Sequence, residues 1–278
     1  MKKENIQKLL YGIGGALVSY AGLAYYMYSN QEKFIFGKDT SKRNSYPKLT
    51  KRIGGLEVNI ITHDNYVLQG WIVPKYKDGQ LLPIKLYLSG RNENVYWLLK
   101  GQKLFNNCSL CFFNYRGMGK STGMPSERNL FNDSVTIFDY IKKHFNCQDS
   151  DIGVIGHSLG TGVAVHLASQ RKIKDLVLVA PYDSIGDIAK QKHWYLPIDY
   201  LIKHRFDTIH HADKVTCKTL FIIAHNDDII ANQRSKAVYH KLNTPHKHWI
   251  QLMGFKHNQV FEAKECINNI NHFYNEEI

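Results

Sequence analysis

A chain of 278 residues with 44% hydrophobic side chains has room for one large globular domain with a sizeable core and an appendage. The formal net charge is +12, but lysine and arginine are scattered without a basic block, so we expect a basic solvated surface or contact with an anionic membrane and no nucleic-acid partner. Five widely spaced cysteines are an odd number and exclude a disulfide framework.

The N-terminal segment contains no charged side chain from Leu9 to Gln31. This is long enough to cross a bilayer, which takes about 20 residues, and tyrosines near both ends suit the membrane interfaces. We therefore predict a membrane anchor over residues 1–31. Two alternatives stay open: a signal peptide cleaved near 19–21, which would make the protein secreted or periplasmic, and a buried core helix. The side of the membrane is not determined.

Residues 32–54 are predicted to be a polar connector, and residues 55–278 a catalytic domain. The predicted strands lie at 56–62, 66–73, 84–88, 110–114, 152–155, 176–180, 220–224 and 249–253. The predicted helices lie at 96–105, 126–144, 161–168, 235–242 and 261–274. Alternating strands and helices indicate an α/β fold, with a mostly parallel sheet covered by helices on both faces.

The motif G-x-S-x-G occurs at 156–160, between a predicted strand and a predicted helix rich in small residues. A serine on so tight a strand-to-helix turn needs small neighbours, and the turn exposes its hydroxyl near the positive end of the helix. We predict Ser158 as a nucleophile. His157 is adjacent but is expected to point elsewhere.

A serine nucleophile needs a base and a carboxylate that orients the base. His257 follows the predicted strand 249–253 and is the candidate base. Asp227 and Asp228 follow the strand 220–224, and the spacing alone does not separate them. Asp183 is a third candidate acid, although capping of the following helix explains it better.

The oxyanion hole is predicted to use two backbone N–H groups. One belongs to Leu159, directly after the nucleophile, and the other to Arg91, in the loop after strand 84–88. No metal and no cofactor is expected. Cys108 and Cys111 have redox or zinc spacing but are predicted to be core residues, because residues i and i+3 of a strand face opposite sides. The glycine-rich loop at 117–122 lacks the first glycine of a phosphate-binding loop, which excludes an NTPase.

Five segments carry a resemblance to a known family: QEKFIF at 31–36, FNYRGMGKSTGMPSE at 113–127, GHSLG at 156–160, AHNDDIIA at 224–231 and GFKHN at 254–258. In these segments the chain resembles the α/β-hydrolases, and most of all their membrane-anchored esterase or lysophospholipase-like branch, often described as serine-aminopeptidase-like. The resemblance implies the α/β-hydrolase fold, and it favours Asp227 over Asp228. The connection between the strands 176–180 and 220–224 is too short for more than a small lid, so we expect a small or absent lid. The chain departs from the family at Ser89-Gly90-Arg91, where His-Gly-Asn is usual, and at Ala224 and Ala231, where glycine and proline are usual.

The expected function is hydrolysis of a carboxylic ester, such as a small-molecule or lipid ester, by a membrane-bound serine hydrolase. Two alternatives are a serine peptidase or amidase of the aminopeptidase-like kind, and an inactive membrane-tethered binding protein. Residues 193–202 are predicted either to cover the pocket or to pack as a crossover helix. The sequence does not determine the natural substrate or the oligomeric state.

Overall fold

The computed structural model describes residues 3–37 and 47–274, in which helices surround a central sheet. The strands are β1 (Leu56–Ile61), β2 (Val67–Val73), β3 (Tyr76–Lys77), β4 (Gln80–Leu81), β5 (Ile84–Leu88), β6 (Ser109–Phe113), β7 (Ile152–His157), β8 (Asp175–Val179), β9 (Lys218–Ala224) and β10 (Lys247–Leu252). The helices are α1 (Lys3–Phe36), α2 (Pro47–Arg52), α3 (Trp97–Gly101), α4 (Glu127–Phe145), α5 (Leu159–Gln170), α6 (Ile185–Lys192), α7 (Ile198–Leu201), α8 (Thr208–Ala212), α9 (Asn232–Lys241) and α10 (Lys264–Phe273), with short 3₁₀ turns at Asp149–Asp151 and His257–Glu262.

The main sheet has the strand order β1-β2-β6-β5-β7-β8-β9-β10. The pairs β1–β2 and β2–β6 are antiparallel, and every other neighbouring pair in this sheet is parallel. The predicted α/β architecture is therefore confirmed. Because the parallel strands all end at one edge, the loops that follow β5, β7, β8, β9 and β10 gather there.

The inner parallel strands are mostly apolar because both sheet faces are covered, and the buried Lys85 of β5 is paired with Asp175 of β8. Leu86 of β5 belongs to a core cluster shared with α4 and α5, whereas its neighbour Tyr87 points into a second cluster shared with α3 and α10. This alternation follows from the two-residue period of a strand. It makes the sheet a rigid base for the loops at its carboxyl edge.

The glycine-rich loop after β6 is held by an ion network. Arg116 is buried and pairs with Asp133 of α4 at 2.7 Å and with Asp64 of the β1–β2 turn at 2.6 Å. A buried guanidinium must be paired in this way, since an unpaired buried charge is strongly destabilising. The loop therefore joins the antiparallel edge of the sheet to α4.

Helix α1 runs past the expected anchor end at residue 31 and ends at Phe36. It contains an apolar window that could cross a membrane by length and composition, and none of that window is buried, so a core helix does not explain it. Of the predicted connector 32–54, residues 32–36 complete α1, residues 47–52 form α2, and residues 38–46 lie outside the described residues. The division into anchor, connector and catalytic domain stays a prediction.

Several elements were not predicted from the sequence. They are the hairpin β3–β4 and the short helices α2 and α8. Helix α6 is the one expected after Asp183, and α7 lies within residues 193–202, for which a crossover helix was one of two predictions. The single helix predicted at 261–274 is instead a 3₁₀ turn followed by α10, because Ala263 between them adopts an extended conformation with ψ of 116°. Such short pieces have too few turns to show a helical period.

Candidate active site

Ser158 lies on the tight turn between β7 and the 12-residue helix α5. Its φ of 49° and ψ of −117° are unusual for a residue with a side chain and mark a strained turn. A Cβ atom at Gly156 would lie 2.7 Å from the carbonyl oxygen of Gly160, and one at Gly160 would overlap the carbonyl oxygen of Leu88. The two glycines of the motif are thus required by the close approach of backbone on both sides of Ser158.

His257 lies next to Ser158 although 99 residues separate them in the chain. Its Nε2 is 2.8 Å from Ser158 Oγ, and its Nδ1 is 2.8 Å from Asp227 Oδ2. The three residues come from the ends of β7, β9 and β10. The geometry is a continuous hydrogen-bonded line from carboxylate to imidazole to hydroxyl, in which the imidazole can accept the hydroxyl proton.

Asp227 and Asp228 have different environments. The Asp227 side chain is 2% exposed, and its Oδ1 accepts hydrogen bonds from the backbone N–H groups of Ile229 at 2.9 Å and Ile230 at 2.7 Å. The Asp228 side chain is 54% exposed and lies 3.8 Å from Lys256 Nζ. Of the two, Asp227 is therefore the one that contacts the imidazole.

The pKa of Asp227 reflects opposing effects. Burial raises the pKa, but the hydrogen bonds to His257 and from the backbone of Ile230 and Ile229 outweigh it, so the net pKa of the carboxyl is lowered. Asp227 is therefore an anion at neutral pH. A buried anion beside the imidazole stabilises the imidazolium that forms when His257 takes a proton.

Asp183, the third candidate acid, lies elsewhere. It pairs with Arg234 at 2.8 Å and accepts a hydrogen bond from the backbone N–H of Ser184 at 2.7 Å. The cap of the following helix α6 is Ser184, whose hydroxyl accepts from Asp187 N. Asp183 therefore has a structural partner of its own.

The two predicted oxyanion donors lie in adjoining segments. Leu159 opens α5, and Arg91 is in the loop after β5, whose Leu88 is paired with Gly156 of β7. A Cβ at Gly90 would lie 3.0 Å from His157 Nδ1, so this loop is packed tightly against the nucleophile turn. The catalytic use of either N–H stays a prediction.

Glu93 was not identified from the sequence. Its Oε2 accepts a hydrogen bond from Gly90 N at 2.7 Å and lies 3.1 Å from His157 Nδ1, while its Oε1 accepts from Tyr87 OH at 2.8 Å and Trp97 Nε1 at 2.6 Å. Burial raises the pKa of Glu93, but its contact with His157 and its other hydrogen bonds lower the pKa by more. The net pKa of Glu93 is therefore lowered. The glutamate ties the predicted oxyanion loop to the turn that carries Ser158. The signal available in the sequence was an acidic residue three positions after Gly90, close enough for its carboxylate to bind the Gly90 N–H.

Cys108 and Cys111 are both free and buried, and burial raises the pKa of the Cys108 thiol to about 12. Within residues 3–37 and 47–274, no cluster of three or more histidine, cysteine, aspartate or glutamate side chains is arranged to hold a metal ion. The side chains grouped at the site are those of an acid, a base and a hydroxyl. Their arrangement suits proton transfer to and from a serine oxygen.

Comparison with known proteins gives a consistent family. The sequence profile described as "Serine aminopeptidase, S33" matches residues 88–206. An uncharacterized protein of Mycobacterium tuberculosis is 26% identical over 269 residues, covering 94% of this chain and 92% of that protein. The lysophosphatidylserine lipase ABHD12 of Danio rerio is 27% identical over 190 residues, which cover 58% of this chain and about half, 49%, of the lipase.

A solved structure has the same fold. The esterase Pf2001 of Pyrococcus furiosus superposes with a TM-score of 0.66 at 18% identity, covering 86% of this chain and 96% of the esterase. The sheet order, the serine turn at its carboxyl edge and these matches lead to one assignment. The chain has the α/β-hydrolase fold, and over residues 88–206 it matches a hydrolase family of the serine-aminopeptidase type.

Proposed function

We propose that this protein is a membrane-anchored serine hydrolase that cleaves the carboxylic ester of an acyl substrate through an acyl-enzyme. Ser158 is the nucleophile, His257 the general base and acid, and Asp227 the residue that orients the imidazole. The observation that carries the proposal is the line of two 2.8 Å contacts from Asp227 through His257 to Ser158 Oγ. This line lies at the carboxyl edge of the sheet, where α/β folds bind their ligands.

The reaction follows from the atoms on this line. Ser158 Oγ attacks the ester carbonyl carbon as its proton passes to His257 Nε2, and negative charge develops on the carbonyl oxygen. The backbone N–H groups of Leu159 and Arg91 stabilise that charge. When the tetrahedral intermediate collapses, the carbon–oxygen bond to the alcohol breaks and the alcohol leaves with the proton from His257. Water then attacks the acyl-enzyme by the same route and releases the acid and Ser158.

Two comparisons bear on the bond that is cleaved. The relative named as a lysophosphatidylserine lipase and the solved esterase support an ester, and the name supports an acyl lipid. The matching profile is described as a serine aminopeptidase, which favours an amide as the second candidate. We favour the ester. The third possibility is a catalytically inactive, membrane-tethered binding protein, which the experiment must exclude.

The membrane location is part of the proposal. The apolar window of α1 is not buried, and exposed side chains such as Leu17 and Val18 would be costly in water over so long a surface. A bilayer would cover them. An uncleaved α1 also fits the packing of its last turn, since Ile35 and Phe36 are buried in the hydrolase core.

A fluorophosphonate probe tests the nucleophile, because it phosphonylates an activated serine. We expect the full chain in detergent micelles to be labelled, and the Ser158→Ala variant not to be. Parallel assays with 4-nitrophenyl esters and aminoacyl 4-nitroanilides separate ester from amide cleavage. Absence of labelling in folded protein would contradict the enzyme proposal, and a preference for the anilides would favour the peptidase.

A further inference from the structure

A cavity of about 420 Å³ lies between the last turns of α1 and the helices α6 and α7. Most of its wall is apolar, and the side chains that matter below are Met27 and Phe34 of α1, Ile188 and Ala189 of α6, and Ile198 and Ile202 at α7. Sites for small ligands are usually mostly apolar and enclose about 300–1,000 Å³. This cavity has the size and lining of a ligand site.

The α1 wall of the cavity is fixed by polar contacts to the segment around α7. Gln31 is buried; its side-chain Nε2 donates to Leu201 O at 3.0 Å, and its Oε1 accepts from Lys203 N at 2.7 Å. At the end of α1, Phe36 O accepts a hydrogen bond from Asn92 N at 3.0 Å. Further up the helix, Tyr20 OH donates to Tyr195 O at 2.9 Å. Helix α1 is therefore built into the hydrolase domain and does more than tether it.

The cavity is lined by segments that follow the two strands beside β7, the strand that leads into the serine turn. Arg91, which lines it, lies in the loop after β5, and Ile185 and Ile188, which also line it, lie in the helix after β8. Strands β5 and β8 are the two neighbours of β7, at whose end Ser158 stands. The loop of Arg91 and helix α6, which both line the cavity, thus follow the strands on either side of the one that leads to Ser158.

We propose that this cavity holds the acyl chain of a single-chain lipid ester, with helix α1 as one wall, while the ester carbonyl lies at Ser158. The occupant follows from the surroundings: the lining is mostly apolar, it includes Arg91 of the predicted oxyanion loop, and α1 continues from it as an exposed apolar helix that a bilayer would cover. An acyl chain leaving the bilayer would stay in contact with apolar side chains along α1 until it enters the cavity. The inference rests on the proposed function and extends it, since the anchor becomes part of the substrate site.

Filling the cavity tests the proposal. Met27→Trp adds bulk from the anchor side, and Ala189→Trp adds it from α6. The matched control is Tyr25→Trp, which places tryptophan on the same helix at a position that is 72% exposed. The full chain in detergent micelles is assayed with 4-nitrophenyl butyrate and 4-nitrophenyl dodecanoate, and kcat/KM is compared between the two esters.

We expect both cavity variants to lower the dodecanoate-to-butyrate ratio of kcat/KM by about tenfold or more, because excluding even one or two methylenes from an apolar pocket costs that much. The control should keep the ratio of the original protein. If the original protein is labelled by the fluorophosphonate and the ratio is the same in all variants, the cavity inference is wrong while the proposed function stands. If the original protein is neither labelled nor active on any ester, the proposed function itself fails.

Discussion

Two histidine–carboxylate pairs lie beside Ser158, and both are built from the same kinds of side-chain group. The rings of His157 and His257 lie 6.1 Å apart, and each contacts a carboxylate whose pKa is lowered, Glu93 and Asp227 respectively. Only His257 also contacts Ser158 Oγ. His157 is next to Ser158 in the chain, but the ring that contacts the Ser158 hydroxyl is that of His257.

The difference lies in what else each carboxylate binds. Asp227 Oδ1 accepts hydrogen bonds from backbone N–H groups of its own loop. Asp227 Oδ2 is left to orient the imidazole of His257, whose Nε2 contacts Ser158 Oγ. Glu93 instead accepts from Tyr87, Trp97 and Gly90, so it joins a strand, a helix and a loop. One pair has the geometry to move a proton, and the other holds the loop of Gly90 and Arg91, the predicted oxyanion loop, in place.

The largest contrast should appear when each histidine is removed. We expect His257→Ala to lower kcat by up to about 10⁶-fold, as loss of a triad base does. His157→Ala should cost on the order of tenfold to a hundredfold, through displacement of the loop alone. Steady-state ester hydrolysis measures both, and circular dichroism checks the fold. Equal losses would show that the two pairs do not have separate roles.

The adjacent aspartates give the next contrast. Asp227→Asn should lower kcat by about 10⁴-fold, because an amide cannot stabilise the imidazolium or hold the correct tautomer. Asp228→Asn is the matched control and should stay within about twofold, as expected for an exposed side chain. The same ester assay measures both. A large loss in Asp228→Asn with a small one in Asp227→Asn would exchange their assignments.

Glu93→Gln should give a smaller loss, about tenfold to a hundredfold in kcat with less change in KM. Loss of the charge weakens the hydrogen bond from Gly90 N and lets the oxyanion loop move, and misplacement of about 1 Å can cost a hundredfold. Fluorophosphonate labelling should slow but not disappear, because Ser158 and His257 keep their contact. Glu262→Gln, at an exposed position, serves as the control. A variant with an unchanged kcat would leave Glu93 with a structural role only.

The smallest effect concerns stability against pH. The folded-state pKa values of Asp227 and Glu93 are both lowered, so their ionised forms stabilise the folded protein above the ordinary carboxyl pKa of about 4. This contribution is lost as the pH falls through the lowered folded-state values. We expect the free energy of unfolding, measured by urea at a series of pH values, to decline less steeply below pH ~4 in Asp227→Asn and in Glu93→Gln than in the original protein. Parallel curves would show that neither carboxylate is stabilised by its histidine.

Much of the fold could be predicted because its signals are local. The strands β5, β6 and β7 are mostly apolar, as expected for strands buried on both faces, and the glycines of the strand–serine–helix motif are visible in the sequence. The positions of His257 and the two aspartates after later strands follow from the same alternation. The bounds of the short helices α6 and α7, and the existence of α8, escaped prediction because a few residues do not display a helical period. Ala263 interrupts a helix that the sequence pattern would continue.

By itself, the sequence determined which residues stand at the carboxyl ends of the strands, since strand period and chain order decide that. The family resemblance favoured Asp227, and the structure shows its side chain buried against His257. Tertiary structure alone decided that Glu93 joins Gly90 to His157 and that α1 closes a cavity against α6 and α7. These contacts join segments as far as 175 residues apart, and each depends on burial and on the direction of a side chain. Local spacing carries no information about either, because both are set by what the rest of the chain packs against.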